Sequence, residues 1–209
     1  MDVAAHVPYR TLVNAPEAVS SFIDALVRWR WLRPSAAPDL GFIEERLACH
    51  AAALASYRPI AVLPVRIVSS WREAQAAAWA VAEAGHWLAA YKSAARATDV
   101  PHTDPRASVV GDSGHAVDAV VRGAAMVGAR SRWPVDSRPT WAAAKCAAEW
   151  AAWTARLHAR MLAAESSRPD PWVSLLDLYE RGSWPIGPDR NAYVVFHLRD
   201  GPPPDCLGR

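Results

Sequence analysis

The densest set of side chains with chemical potential in this 209-residue chain lies in one short span: His102, Asp104, Asp112, Ser113 and His115. Imidazole and carboxylate groups suit first-row divalent metals, and residues one position apart can share a site. His102, Asp104, Asp112 and His115 are therefore candidate metal ligands, with His86 in support. The competing reading is structural. The spacing matches no established ligand pattern, and Asp-Ser-Gly-His also suits a loop followed by a helix that Asp112 or Ser113 caps. Gly111-Asp112-Ser113-Gly114 reproduces the tetrapeptide around the nucleophile of chymotrypsin-like proteases. Those enzymes are double β-barrels and their motif continues with glycine, where this chain has His115, so we read the match as chance.

His50, His86, His115 and His158 each fall on an expected helix, and a bundle could gather them. Di-metal bundles pair carboxylates with Glu-x-x-His on two helices. Here Glu83-Ala84-Gly85-His86 is a single copy without a partner. No Gly-rich phosphate loop, Cys-x-x-Cys pair, His-Glu-x-x-His or dinucleotide fingerprint occurs.

Arg28-Trp29-Arg30-Trp31-Leu32-Arg33 interleaves cations with aromatics, and Arg130-Ser131-Arg132-Trp133 is a shorter version. Such patterns serve nucleic-acid or membrane surfaces. Both segments also fall at expected helix C-termini, where the helix dipole and free carbonyls favour arginine, and neither extends into a basic tract. Of the 11 tryptophans, Trp150, Trp153 and Trp172 sit on helix stripes and are expected in the core. Trp31, Trp133 and Trp184 lie at helix ends or loops beside Pro or Arg, where exposure is expected. Exposed Trp and Arg dominate protein–protein hot spots. The expected partner-binding set is Trp31, Arg28, Arg30, Arg33, Arg132, Trp133 and Trp184.

Composition bounds these readings. The 23 basic and 21 acidic side chains leave a formal charge of +2, which argues against an obligate polyanion partner. Hydrophobic residues make up 52% of the chain, enough for a substantial core. Nearly all cations are Arg, and Ala and Pro are abundant, a bias read as that of a GC-rich, bacterial genome. Cys49, Cys146 and Cys206 are too few and scattered for a disulfide framework. The start carries no basic n-region leading into an apolar h-region, and no run is long and apolar enough to span a bilayer. The expectation is a soluble, cytoplasmic protein with no membrane association.

The elements follow from periodicity. Thr140 to Ser167 reads as one long, nearly all-apolar helix, with Cys146, Trp150, Trp153, Leu157, Met161 and Ala164 on one face. Ala144, Ala147, Ala148, Ala151 and Ala155 would let a neighbouring helix approach closely. Upstream, residues 1–14 read as an irregular arm. Asn14-Ala15-Pro16-Glu17 starts a first helix with Val19, Phe22, Ile23, Leu26 and Trp29 on its face, ending before Pro34. Pro38 or Asp39 opens a second, with Leu40, Ile43, Leu47, Ala51 and Leu54 inward. Ile60 to Val68 is an extended connector or edge strand because Pro59 and Pro64 disfavour a central one. Ser70 and Glu73 form a capping box before a third helix over 70–98. Residues 100–114 are expected as a loop, and 115–131 as a helix whose Gly123 and Gly128 mark close packing. A short helix opens at Asp170-Pro171, a β-hairpin covers Trp184 to Leu198, and 201–209 is a loose tail.

The expectation is thus one helical domain over 1–209: mainly all-α, with about six helices around a central Ala/Trp-rich helix and a small C-terminal β-hairpin. The leading functional reading is a non-catalytic protein-interaction module: an adaptor, a regulatory subunit or an immunity-type partner, needing no cofactor. The alternative is a small metal-dependent enzyme or ligand-binding protein using the 102–115 loop. A third is a nucleic-acid accessory subunit using the Arg/Trp patches.

Overall fold

The computed structural model describes residues 16–29, 37–130 and 138–197. The 1–14 arm and the 201–209 tail lie outside them.

Among the described residues, seven α-helices and three strands follow in the order α1 (Glu17–Arg28), α2 (Leu40–Ala55), β1 (Val65–Val68), α3 (Trp71–Ala80), α4 (Gly85–Arg96), α5 (Ala107–Arg130), α6 (Arg138–Ala163), α7 (Trp172–Glu180), β2 (Ser183–Pro188) and β3 (Tyr193–His197). The chain is mostly helical with a small sheet, as its periodicities predict. Pro16 precedes α1, which buries Val19, Ile23 and Leu26 and stops at Arg28, short of Pro34. Asp39 caps α2 by accepting from the Phe42 N–H at 3.0 Å. Ile43, Leu47, His50, Ala51 and Leu54 of α2 are buried, whereas Leu40, expected on that face, is exposed.

The helix expected over 70–98 is two. Ser70 accepts from the Glu73 N–H at 3.2 Å and donates to its Oε2 at 2.8 Å, so the capping pair forms. α3 then ends in a 3-10 turn, Val81–Glu83, and α4 restarts at Gly85. The residue that leaves the helix is Ala84, at ψ 58°, and its carbonyl accepts from the Leu88 N–H at 3.0 Å to begin α4. The hairpin docks on that turn. Gly187 has φ +133°, and a Cβ on it would stand 2.8 Å from Val81 Cγ2.

α5 starts far earlier than expected, absorbing residues 107–114. Asp104 prepares it: the Arg106 N–H donates to Asp104 Oδ1 at 2.8 Å and the Ala107 N–H to its carbonyl at 2.9 Å. Val110, Ser113, Val117, Val120 and Val121 then face inward at helical spacing. This packing overrides the poor helix propensity of Gly111-Asp112-Ser113-Gly114.

The most extensive helix pair is α5 with α6, and α6 also meets α1, α3, α7 and β2. Its deepest face is the alanine seam: Ala148, Ala151, Ala152, Ala155 and Ala159 are fully buried, while Trp150 and Trp153 are half-buried. The Cys146 side chain, expected on the apolar stripe, lies outside the described ones. The close approach falls at Gly114, where a Cβ would stand 2.9 Å from Arg160 Cγ and 3.2 Å from Arg156 Cγ. Gly123, expected to mark close packing, has nothing within 4 Å among the described residues, and Gly128's surroundings lie outside them. α6 ends at Ala163 rather than Ser167, with Glu165 at φ +50° and the Ser166 N–H donating to the Met161 carbonyl at 3.0 Å.

The expected hairpin is part of a three-stranded sheet ordered β1-β3-β2. β2 and β3 are antiparallel, with a register shift at Pro185 to Gly187, and β1 pairs parallel to β3 with Val65 opposite Tyr193. β3 is therefore central and wholly buried, while β1 is an edge, where Pro64 contributes only its carbonyl, accepting from the Tyr193 N–H at 2.8 Å.

Candidate functional site

The four expected metal ligands do not gather. His102 is exposed in the turn before α5, and Asp112 and His115 are exposed on the helix itself. Asp104 is committed to Arg106, whose Nη2 and Nε reach its two oxygens at 2.9 and 3.1 Å. That hydrogen-bonded guanidinium holds its carboxyl at about 2. Among the described residues, no three His, Cys, Asp or Glu side chains converge as a metal site. The reason is the helix: α5 carries Asp112 and His115 away from the turn that holds His102. His86 is exposed on α4, and Glu83, the other half of the lone Glu-x-x-His, pairs with Arg190 at 2.9 Å. Ser113 is buried inside α5, and its Oγ finds no hydrogen-bond partner among the described residues. Among the described residues no base reaches it, and its burial inside α5 takes the protease-like tetrapeptide out of solvent.

Of the expected partner-binding set, Trp31, Arg30, Arg33, Arg132 and Trp133 lie outside the described residues. Arg28 is exposed at the end of α1 and, with Ala25, Trp29 and Glu180, borders a hollow of about 290 Å³. Trp184 corrects the expectation. It is 1% exposed, packed edge-on to Tyr179 at 5.0 Å inside the hairpin, because β2 is covered by α7 and α3. Among the described residues, the large aromatic that does face outward is Trp79, 72% exposed on α3. Sequence periodicity placed it within a continuous Trp/Ala helix, and the break after Ala80 is what sequence reading missed.

The histidines separate into different environments. His158 Nδ1 lies 2.6 Å from Asp170 Oδ2, and the Phe22 ring stands edge-on to the imidazole. Asp170 Oδ1 accepts from the Trp172 N–H at 2.8 Å, so this pair fastens the start of α7 to α6. His50 is fully buried. Its Nδ1 lies 2.6 Å from the Pro171 carbonyl, its Nε2 2.9 Å from Tyr91 Oη, and Tyr91 Oη 2.9 Å from Tyr193 Oη. Trp87, Trp153 and Trp172 surround this chain of hydrogen bonds, with Tyr91 stacked on Trp172 at 5.8 Å and Trp153 edge-on to Trp172 at 4.9 Å. Burial lowers the His50 imidazole to about 4 and raises the Tyr91 and Tyr193 phenols. These three groups are sealed from solutes. The network ties α2, α4, β3 and the start of α7 into one core.

A cleft of about 220 Å³ opens where the start of α2 meets the ends of β2 and β3. Ala37, Pro38, Phe42 and Ile43 make its apolar wall, and Asp39, Arg181, Ser183 and His197 are its polar groups. The Arg181 guanidinium lies over the Phe42 ring, 3.7 Å from its centroid. Arg46 approaches the same ring at 5.4 Å but is neutralised by Glu45 and, at 3.2 Å, by Asp177. Ser183 Oγ and His197 Nδ1 are 3.4 Å apart across the strand pair, both almost fully buried. No sequence signal joined these residues, since they come together only when the hairpin closes against α2. Among the described residues, no helix is long and apolar enough to cross a membrane. No protein-family model matches the chain, and no curated protein or solved structure matches it either.

Proposed function

We propose that this chain is a non-catalytic, cytoplasmic protein-binding module of the adaptor, regulatory-subunit or immunity type. Its helices pack around the Ala/Trp-rich α6 as a rigid support for a contact anchored on Trp79. The observation that carries the reading is the 72% exposure of that indole on a helix whose opposite face is fixed by buried Ala74 and Ala77. Arg72, Ala76 and Trp79 recur at steps of four and three, so the exposed face of α3 presents a cation, a small residue and an indole in one stripe. A rigid aromatic beside an arginine is the composition of interface hot spots, and the small Ala76 leaves room for a partner side chain against the ring. Burying an indole of this exposure would contribute about 3–4 kcal/mol. Motif poverty and the near-neutral charge favour a protein over a nucleic acid as the partner.

Native mass spectrometry of the protein purified gently from its host tests this. The expected result is a co-purifying protein that is lost from Trp79→Ala while the melting temperature stays unchanged. A lone chain in the wild-type preparation, or a partner retained by Trp79→Ala, overturns the reading.

A further inference from the structure

The cleft beside α2 is separate from the Trp79 face and has the makings of a second site. Its charges are the first clue. Asp39 and Arg181 line the same small space without pairing to each other. Asp39 Oδ1 is spent on the Phe42 N–H, which leaves Oδ2 without a partner among the described residues. Arg181 forms no ion pair among them either, and stacking on Phe42 fixes its plane while leaving its in-plane N–H donors open. A stacked guanidinium with free edges suits a carboxylate.

Net charge then narrows the occupant. A simple carboxylate drawn to Arg181 would meet the Asp39 charge, and a simple amine drawn to Asp39 would meet Arg181. A molecule carrying both charges satisfies both residues. The remaining wall of Ala37, Pro38, Phe42 and Ile43 suits an apolar substituent. A volume of about 220 Å³ lies below the roughly 300–1,000 Å³ of clefts that enclose drug-sized ligands, so the occupant is one small metabolite. We infer that this cleft binds a free α-amino acid with an apolar side chain, its carboxylate on Arg181 and its ammonium on Asp39. Ser183 and His197 close the inner end, holding the strand ends in place behind the ligand.

The test is an NMR titration of the full ¹⁵N-labelled chain with three probes: L-leucine, N-acetyl-L-leucine and L-leucinamide. The expected result is a saturable shift of the Gly41, Phe42, Ser183 and His197 amides with leucine. The two analogues, each lacking one charge, should bind roughly tenfold more weakly, the worth of one charged hydrogen bond. Asp39→Asn retains the helix cap, because Asn accepts from the same N–H. It should erase the preference for leucine over the acetylated form, as Arg181→Gln should erase the preference over the amide. The inference is overturned if leucine gives no saturable shift, if the shifts map away from the cleft, or if the acetylated acid binds as well as leucine. Trp79 is not in the cleft, so failure here leaves the protein-binding reading standing, and the reverse also holds.

Discussion

Tyr193 Oη stands 2.9 Å from Tyr91 Oη, and the proton between them belongs to Tyr193. The assignment follows from the far end of the chain of bonds. The Pro171 carbonyl can only accept, so His50 Nδ1 carries the hydrogen. Burial keeps the imidazole neutral, which leaves Nε2 an acceptor for the Tyr91 hydroxyl. With its proton given to His50, Tyr91 can only accept from Tyr193.

This direction makes the two hydroxyls unequal. Removing the Tyr193 hydroxyl deletes one bond and leaves Tyr91 still donating to His50. Removing that of Tyr91 strands two buried groups, the His50 Nε2 acceptor and the Tyr193 donor. Tyr193→Phe should cost about 1 kcal/mol and Tyr91→Phe about 2–4 kcal/mol, because a buried group without its partner forfeits its full solvation. Urea unfolding of both variants at neutral pH checks this. The reverse order would mean that the protons run the other way.

The same histidine sets a pH dependence. Burial lowers its folded-state value from 6.5 to about 4, so in the window between those values the unfolded chain takes up a proton that the folded chain does not. The contribution is fully present above pH 6.5 and is lost as the pH falls through the folded value. Between neutrality and pH 4 it amounts to about 3 kcal/mol. His50→Leu, although less stable overall, should show a shallower fall in unfolding free energy over that window than wild type. Parallel curves would remove His50 as the source.

How much of this was legible in the sequence depends on which forces decide each element. Capping signals are local, so Asp39 and the Ser70–Glu73 pair open helices where the sequence predicts, and Asp170 turns the chain into α7 by accepting from the Trp172 N–H. The Ala147 to Ala155 seam was legible as a surface for close helix approach, because alanine has the same meaning in any partner's context. Residues 107–114 were not legible, because their propensity points to a loop and only burial of Val110 and Ser113 makes them helical. Trp184 was misplaced for a related reason: flanking proline signals exposure locally, whereas the hairpin folds it under α7. The cleft of Asp39, Arg181, Ser183 and His197 joins residues more than a hundred positions apart, and periodicity within one element carries no information about such a meeting.

The glycines of α5 test the closeness of the α5–α6 contact directly. A methyl group at Gly111 or Gly123 would meet nothing within 4 Å among the described residues. Gly111→Ala and Gly123→Ala should therefore each stabilise by about 0.5–1 kcal/mol, through helix propensity and a less flexible unfolded chain. At Gly114 the same methyl would fall 2.9 Å from Arg160 Cγ. Arg160 cannot simply swing aside, since its Nη2 bonds Asp99 Oδ1 at 2.8 Å and its stem lies between the helices. Gly114→Ala should then lose the propensity gain and destabilise by about 1–2 kcal/mol, the ordinary cost of overpacking. Thermal unfolding of the three variants decides it. If Gly114→Ala stabilises as much as the other two, α5 and α6 are farther apart at this turn than Arg156 and Arg160 indicate.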